Sequence, residues 1–89
     1  MNINDIQLAV EFAALSVFGD AKIPLNENLY TSYRADALDL WDMLEEVENE
    51  LDLDRDSLYD RLGNYNPDFQ WNGTLQHLTD KLTQILEAQ

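Results

Sequence analysis

Residues 36–51 read Asp-Ala-Leu-Asp-Leu-Trp-Asp-Met-Leu-Glu-Glu-Val-Glu-Asn-Glu-Leu and carry the clearest periodic pattern in the chain. Asp36 is a good N-cap residue, and Asp39 three positions later can complete a capping box, in which each side chain accepts a hydrogen bond from the other's backbone N–H. Apolar residues then recur at helical spacing, and acidic residues fill most of the other positions. The stretch predicts an amphipathic helix over 37–51 with an apolar stripe of Leu40, Trp41, Leu44, Val47 and Leu51.

Three further helices are predicted from helical spacing and capping residues, near 4–18, 56–62 and 74–87. Their N-caps are expected at Asn4 or Asp5, at Asp54 or Asp56, and at Thr74. Gly19 follows the first helix, where a left-handed residue commonly ends a helix. No segment alternates polar and apolar residues over the length of a strand. The predicted fold is therefore all-α, a four-helix bundle with three longer helices and one short helix.

Residues 19–36 have no sustained period, and Pro24 excludes a helix interior there. We expect a long first loop, pinned to the core by Ile23, Leu25, Leu29 and Tyr30. At 89 residues the chain is long enough for one domain, over 1–89. The predicted core consists of Ile6, Val10, Val17, Leu40, Leu44, Val47, Leu51, Leu58, Leu78, Leu82 and Ile85.

The charge is strongly unbalanced, with 18 Asp and Glu against five Lys and Arg and a net charge of −13. Such a chain repels phosphate backbones and anionic membrane surfaces, so neither nucleic acid nor a membrane is an expected partner. Ten carboxylates and one basic residue, Arg55, lie between Asp36 and Asp56. A face made for solubility usually mixes both signs, so this pattern favours docking to a basic protein surface.

Catalytic and metal chemistry find little support in the sequence. There is no cysteine, and His77 is the single histidine, with no nucleophile beside it; we expect a surface or boundary role for it. Carboxylates at 52, 54 and 56 alternate as in a calcium loop, but Ser57 and Gly63 occupy the positions where an EF-hand needs Gly and Glu. The prediction is a protein that is not an enzyme and has no metal site. Without a signal sequence or a long apolar run, a cytoplasmic location is the default expectation.

Several stretches taken together resemble the acyl carrier protein family. Ala35-Asp36-Ala37-Leu38-Asp39 and the acidic helix after it are similar to the family's Gly/Ala-Asp-Ser-Leu-Asp motif and second helix. Upstream, Pro24-Leu25-Asn26-Glu27-Asn28-Leu29 resembles the Leu-x-Glu-Asp-Leu stretch before that motif. Downstream, Gly73-Thr74-Leu75-Gln76-His77-Leu78 is similar to the start of the family's last helix. The resemblance covers most of the chain and implies an acyl-carrier-like bundle that docks enzymes of fatty-acid, polyketide or peptide-type synthesis.

The sequence departs from the family where the prosthetic arm attaches. Ala37 stands at the position of the serine that carries 4′-phosphopantetheine, and a methyl group cannot form the phosphodiester. Residues 30–34 lengthen the approach to the motif, and 63–72 form a longer connection before the last helix. Ser32 is the nearest serine, but it lies five positions upstream. We therefore expect no cofactor on this chain, and 4′-phosphopantetheine only if Ala37 were Ser.

By the same resemblance, the partner-binding residues are Asp36, Leu38, Asp39, Asp42, Met43, Glu45, Glu46 and Glu48. Two origins of Ala37 stay open: a substitution introduced into a carrier protein, or a natural domain that keeps the carrier fold without its chemistry. An alternative function explains the charge equally well, namely a small acidic inhibitor or immunity-type protein that blocks a basic groove on its target. With either function, the chain is expected to be a monomer.

Overall fold

The computed structural model describes residues 2–20, 22–64 and 70–87. The elements are α1 (Ile3–Phe18), α2 (Leu29–Ser32), α3 (Ala37–Glu50), α4 (Ser57–Tyr59) and α5 (Leu75–Glu87), and a π-helical turn over Asp60–Asn64 continues α4. No strand occurs in these ranges, so the predicted all-α class is confirmed for them. The three long helices form the body of the protein, because α1 packs against both α3 and α5, and α4 packs against α3.

Helix ends follow from local hydrogen bonds. The Asn2 side chain accepts a hydrogen bond from Asn4 N at 2.8 Å, so Asn2 caps α1 in place of the predicted Asn4 or Asp5. Gly19 ends α1 as predicted, with a left-handed φ of 74° and its N–H donating to the Leu15 carbonyl. The capping box of α3 is confirmed, because the two aspartates accept from each other's N–H groups at 3.0 and 3.1 Å.

The core lies between α1, α3 and α5. Most of the predicted residues are buried in it, namely Ile6, Val10, Leu40, Leu44, Val47, Leu58, Leu78 and Leu82. Val17, Leu51 and Ile85 are only half-buried and pack against its edge, because each lies at or beside the last turn of its helix. On α1 the buried face is built partly from small residues, Ala9, Ala13 and Ala14.

The connection between α1 and α3 contains one helical turn, α2, which is too short for a periodic pattern to reveal. Ile23 and Leu29 are buried and Leu25 is half-buried, so these residues pin the connection as predicted. Tyr30 is 43% exposed, but it too contacts the core: its ring lies 5.3 Å from the ring of the buried Trp71, and its hydroxyl donates to the Trp71 carbonyl at 2.9 Å.

Residues 70–76 bind the same connection through backbone hydrogen bonds. Leu29 N donates to the Gly73 carbonyl at 2.8 Å, and Gln76 N donates to the Leu25 carbonyl at 2.9 Å. Gly73 has a φ of 91°, and a Cβ there would lie 2.6 Å from the Tyr30 ring, so this position requires glycine. The part of the predicted loop at 65–69 lies outside the described residues.

The short helix also differs from its prediction. It begins at Ser57 and changes to π-helical hydrogen bonding at Asp60, which extends it to Asn64 instead of 62. Asp56 occupies the N-cap position with a φ of 64°, but its side chain accepts no capping hydrogen bond. Thr74 does cap α5 as predicted, because its hydroxyl oxygen accepts from His77 N at 3.1 Å.

Candidate partner-binding face

The first turn of α3 presents the motif on the surface. Asp36 and Ala37 are exposed, and the capping box fixes the backbone on either side of Ala37. Leu38 is 71% exposed, more than any other large apolar residue in the described ranges. The N-terminus of α3 therefore places an apolar side chain in water beside two carboxylates.

Five carboxylates continue this surface along α3, and we call them the acidic face: Asp36, Asp39, Asp42, Glu45 and Glu46. Four of them, together with Ser16 and Val17 at the end of α1, line a shallow depression of about 360 Å³. The side chains of Asp42, Glu45 and Glu46 make no hydrogen bond with the residues that the structure describes. They are available to cations or to basic side chains from outside.

Two predicted partner-binding residues lie inside the protein instead. Met43 is 0% exposed and belongs to the core, because it follows Leu40 and precedes Val47 on the inward side of α3. Glu48 is 4% exposed, and its carboxylate accepts hydrogen bonds from Asp56 N at 3.2 Å and Leu58 N at 2.8 Å. Neither side chain is accessible to a partner, so the predicted set of partner-binding residues is corrected by removing Met43 and Glu48.

Glu48 caps the start of α4, a role predicted for Asp54 or Asp56. The first N–H groups of a helix have no partner within it. At α4, a carboxylate from the preceding long helix accepts from them, which ties the end of α3 to the start of α4. The pattern does contain an indication of this, because Glu48 follows Leu44 by four positions and thus lies on the apolar side of α3.

Ser32 lies on a different element from Ala37. It is the last residue of α2, and its hydroxyl donates a hydrogen bond to the Glu27 carboxylate. A group attached to Ser32 would therefore leave the surface from the connection and not from the N-terminus of α3.

A pair of polar side chains, Asp20 and Tyr33, links the start of the connection between α1 and α3 to the residue that follows α2. The Tyr33 hydroxyl donates to the Asp20 carboxylate, and the Tyr33 ring lies 5.3 Å from the Phe18 ring. This hydrogen bond, with another from the Lys22 N–H, lowers the pKa of Asp20 below its usual value. The same hydrogen bond raises the pKa of Tyr33, because the carboxylate stabilises the protonated phenol.

His77 stabilises the turn before α5. Its Nδ1 accepts a hydrogen bond from Asn72 N at 3.0 Å, and its ring is half-buried. Among the described residues, no group of three or more His, Cys, Asp or Glu side chains converges as metal ligands do. In the same ranges, no helix combines the length and the hydropathy needed to cross a bilayer.

A further surface, on α1, was not predicted from the sequence. Leu8, Phe12 and Leu15 recur at i, i+4 and i+7 and are exposed, although α1 buries its other side in the core. The pattern could have indicated this surface, because α1 has apolar residues on two faces where a surface helix usually has one.

No protein-family model, curated protein or solved structure matches this chain.

Proposed function

We propose that this chain is an acyl-carrier-protein-like docking module that binds basic protein partners through the acidic face of α3 and Leu38. The observation that carries the proposal is the exposed Leu38 beside Ala37, followed along the helix by Asp42, Glu45 and Glu46, whose carboxylates have no partner among the described residues. An apolar anchor within a charged rim is the arrangement of many binding interfaces. By the resemblance, the partners are enzymes of fatty-acid, polyketide or peptide-type synthesis.

The charges of the acidic face favour binding to a basic partner more than they stabilise the folded chain. Asp36 and Asp39 lie at the N-terminus of α3, where negative charge is favourable to the helix dipole. Glu45 and Glu46 lie beyond the first turn, and Asp42 and Glu46 are like charges at i, i+4, which destabilise a helix by about 0.2–0.5 kcal/mol per pair. A basic partner surface would remove this repulsion and would also increase the association rate.

The order of elements is consistent with a carrier scaffold: a long helix, a long connection, an acidic helix, a short helix and a final helix. The motif residues Asp36, Ala37 and Leu38 are all exposed at the start of the acidic helix. With alanine at 37, the module would dock without carrying an arm, as a cytoplasmic monomer without a cofactor of its own.

The test of this proposal restores the serine hydroxyl to which phosphopantetheine attaches. Ala37→Ser is incubated with coenzyme A and a promiscuous phosphopantetheinyl transferase, and its intact mass is measured. The expected product has gained one phosphopantetheine group, whereas the wild-type chain, which still contains Ser32, stays unmodified and is the matched control.

Charge reversal tests whether the acidic face guides the transferase. Glu45→Lys/Glu46→Lys in the Ala37→Ser background should slow modification, and more strongly at low salt, because the effect is on encounter rate. Asp80→Lys/Glu87→Lys changes the net charge equally on α5 and should slow it much less. A folded serine variant that remains unmodified would contradict the carrier proposal and favour the acidic inhibitor of a basic groove.

A further inference from the structure

α1 leaves several large apolar residues exposed, although it buries Ile6 and Val10 in the core. Ala9 and Ala13 face the core, whereas Leu8 is 63% exposed, Phe12 is 46% exposed and Leu15 is also exposed. The three exposed side chains lie at i, i+4 and i+7 and form one continuous stripe. The core does not need this stripe, and a contiguous apolar patch on a small protein commonly marks an interaction site.

The stripe forms one wall of a groove between α1 and the end of α3, with a volume of about 740 Å³. Leu51 contributes further apolar surface from the α3 side. Four carboxylates surround these residues, and the lining contains no Lys or Arg among the described residues; they are Asp5, Glu11, Glu50 and Asp52. The groove thus has apolar walls, and we call these four carboxylates its acidic rim.

We propose that this groove binds an amphipathic helical segment of another protein, with apolar residues on one face and Lys or Arg beside them. The apolar face would cover Leu8, Phe12 and Leu15, and the basic residues would meet the acidic rim. The occupant is a helix because the groove is lined by α1 and by the end of α3 with the turn after it, and these offer no strand edge. A segment that desolvates its backbone there must satisfy its own N–H and C=O groups, as a helix does.

Other occupants agree less well with the same residues. A fatty acid or another anionic amphiphile would place its charge against four carboxylates. A small apolar molecule would stay partly in water, because Leu8 and Phe12 project from the wall. A second copy of this chain would bring another net charge of −13 to an acidic rim, and like charge opposes that association.

This proposal does not rest on a carrier function. The groove shares no residue with the acidic face of α3, because it is lined by residues 5–15 and 50–52. A failure of phosphopantetheine attachment at Ala37→Ser would leave the groove proposal intact.

The probe is a fluorescein-labelled peptide of about 14 residues, which spans about 21 Å as a helix. It has Leu at positions a and d of each heptad and Lys elsewhere. A second peptide keeps every Lys and replaces each Leu with Ser, so it measures attraction by charge alone. Saturable binding in fluorescence anisotropy is expected for the first peptide, with the second at least about tenfold weaker. Equal affinities would overturn the proposal.

Variants of α1 locate the binding site. Leu8→Gln and Phe12→Gln should each weaken binding by about tenfold, and both side chains are exposed enough for the fold to tolerate the change. Ile3→Gln is the matched control, because Ile3 is similarly exposed on the same helix but does not line the groove. Circular dichroism verifies that all three remain helical. An Ile3→Gln variant as weak as the other two would contradict the assignment.

Nuclear magnetic resonance and sedimentation separate the remaining outcomes. In a ¹H–¹⁵N titration with the Leu–Lys peptide, the largest shifts are expected within residues 5–15 and 50–52. Largest shifts at the acidic face of α3 would overturn the proposal. The proposal would also be overturned if the unliganded chain sedimented as a dimer and Leu8→Gln dissociated that dimer. A second copy of the chain would then be the occupant of the groove.

Discussion

The carboxylate of Glu48 is buried and accepts two backbone hydrogen bonds from the start of α4, whereas on the same helix Glu45 is exposed and Glu46 is half-buried. Residue type alone does not separate these roles, since all three belong to one acidic run. Two features distinguish Glu48. It has a different position on the helix relative to Leu44 and Val47, and the N–H groups eight and ten residues after it have no acceptor within α4.

Removing the Glu48 carboxylate should destabilise the protein. Glu48→Ala leaves the N–H groups of Asp56 and Leu58 without an acceptor, and an unsatisfied buried donor costs about 1–3 kcal/mol. Glu45→Ala removes the same charge from an exposed position and should change the free energy of unfolding by less than about 0.5 kcal/mol. Urea denaturation followed by circular dichroism measures both, and equal losses would mean that Glu48 caps nothing.

Among the elements, the sequence located α1, α3 and α5 to within a residue or two, because long periodic stripes and capping residues define them. It did not locate α2, since four residues carry no period. Nor did it indicate the π-helical turn over Asp60–Asn64, since α and π turns differ in hydrogen bonding and not in composition. Eight partner-binding residues were predicted: Asp36, Leu38, Asp39, Asp42, Met43, Glu45, Glu46 and Glu48. Burial excludes Met43 and Glu48, because both lie on the inward side of α3, only one or two positions from exposed residues.

The connection between α1 and α3 should depend on pH through the Asp20–Tyr33 hydrogen bond. The pKa of Asp20 is lowered from 3.8, so its contribution to stability is present above that value and is lost as the pH falls through the lowered pKa. The pKa of Tyr33 is raised from 10.0, so its contribution is present below that value and is lost as the pH rises through the raised pKa. The hydrogen bond therefore stabilises the folded state in the range between these two limits.

Tyr33→Phe removes the hydroxyl and keeps the ring beside Phe18. We expect a lower urea midpoint than that of the wild type at about pH 7, and convergence of the two midpoints in strong acid, where Asp20 is protonated in both states. Tyr59→Phe is the control, because the Tyr59 hydroxyl makes no hydrogen bond within the described residues. A difference for Tyr33→Phe that persists unchanged into acid would exclude the carboxylate as its cause.

For the whole molecule, the net charge of −13 predicts stabilisation by salt. Raising NaCl from about 0.01 to about 0.15 M shortens the Debye length from about 30 to about 8 Å, which weakens repulsion between carboxylates on different elements. The Tm should therefore rise. A variant with Asp42→Asn, Glu45→Gln and Glu46→Gln should show a smaller rise. A Tm that stays constant for the wild type would show that the carboxylates do not repel one another appreciably.

The two hydrogen bonds that join residues 25 and 29 to residues 76 and 73 also make the closure of the first loop depend on a late part of the chain. The ribosome synthesises α1, the connection and α3 before Gly73. The Trp71 carbonyl, which accepts the hydrogen bond of the Tyr30 hydroxyl, is likewise added 41 positions after Tyr30. The Leu29 N–H and the Leu25 carbonyl meanwhile remain bonded to water, so the nascent chain closes its first loop only when the start of its last helix emerges.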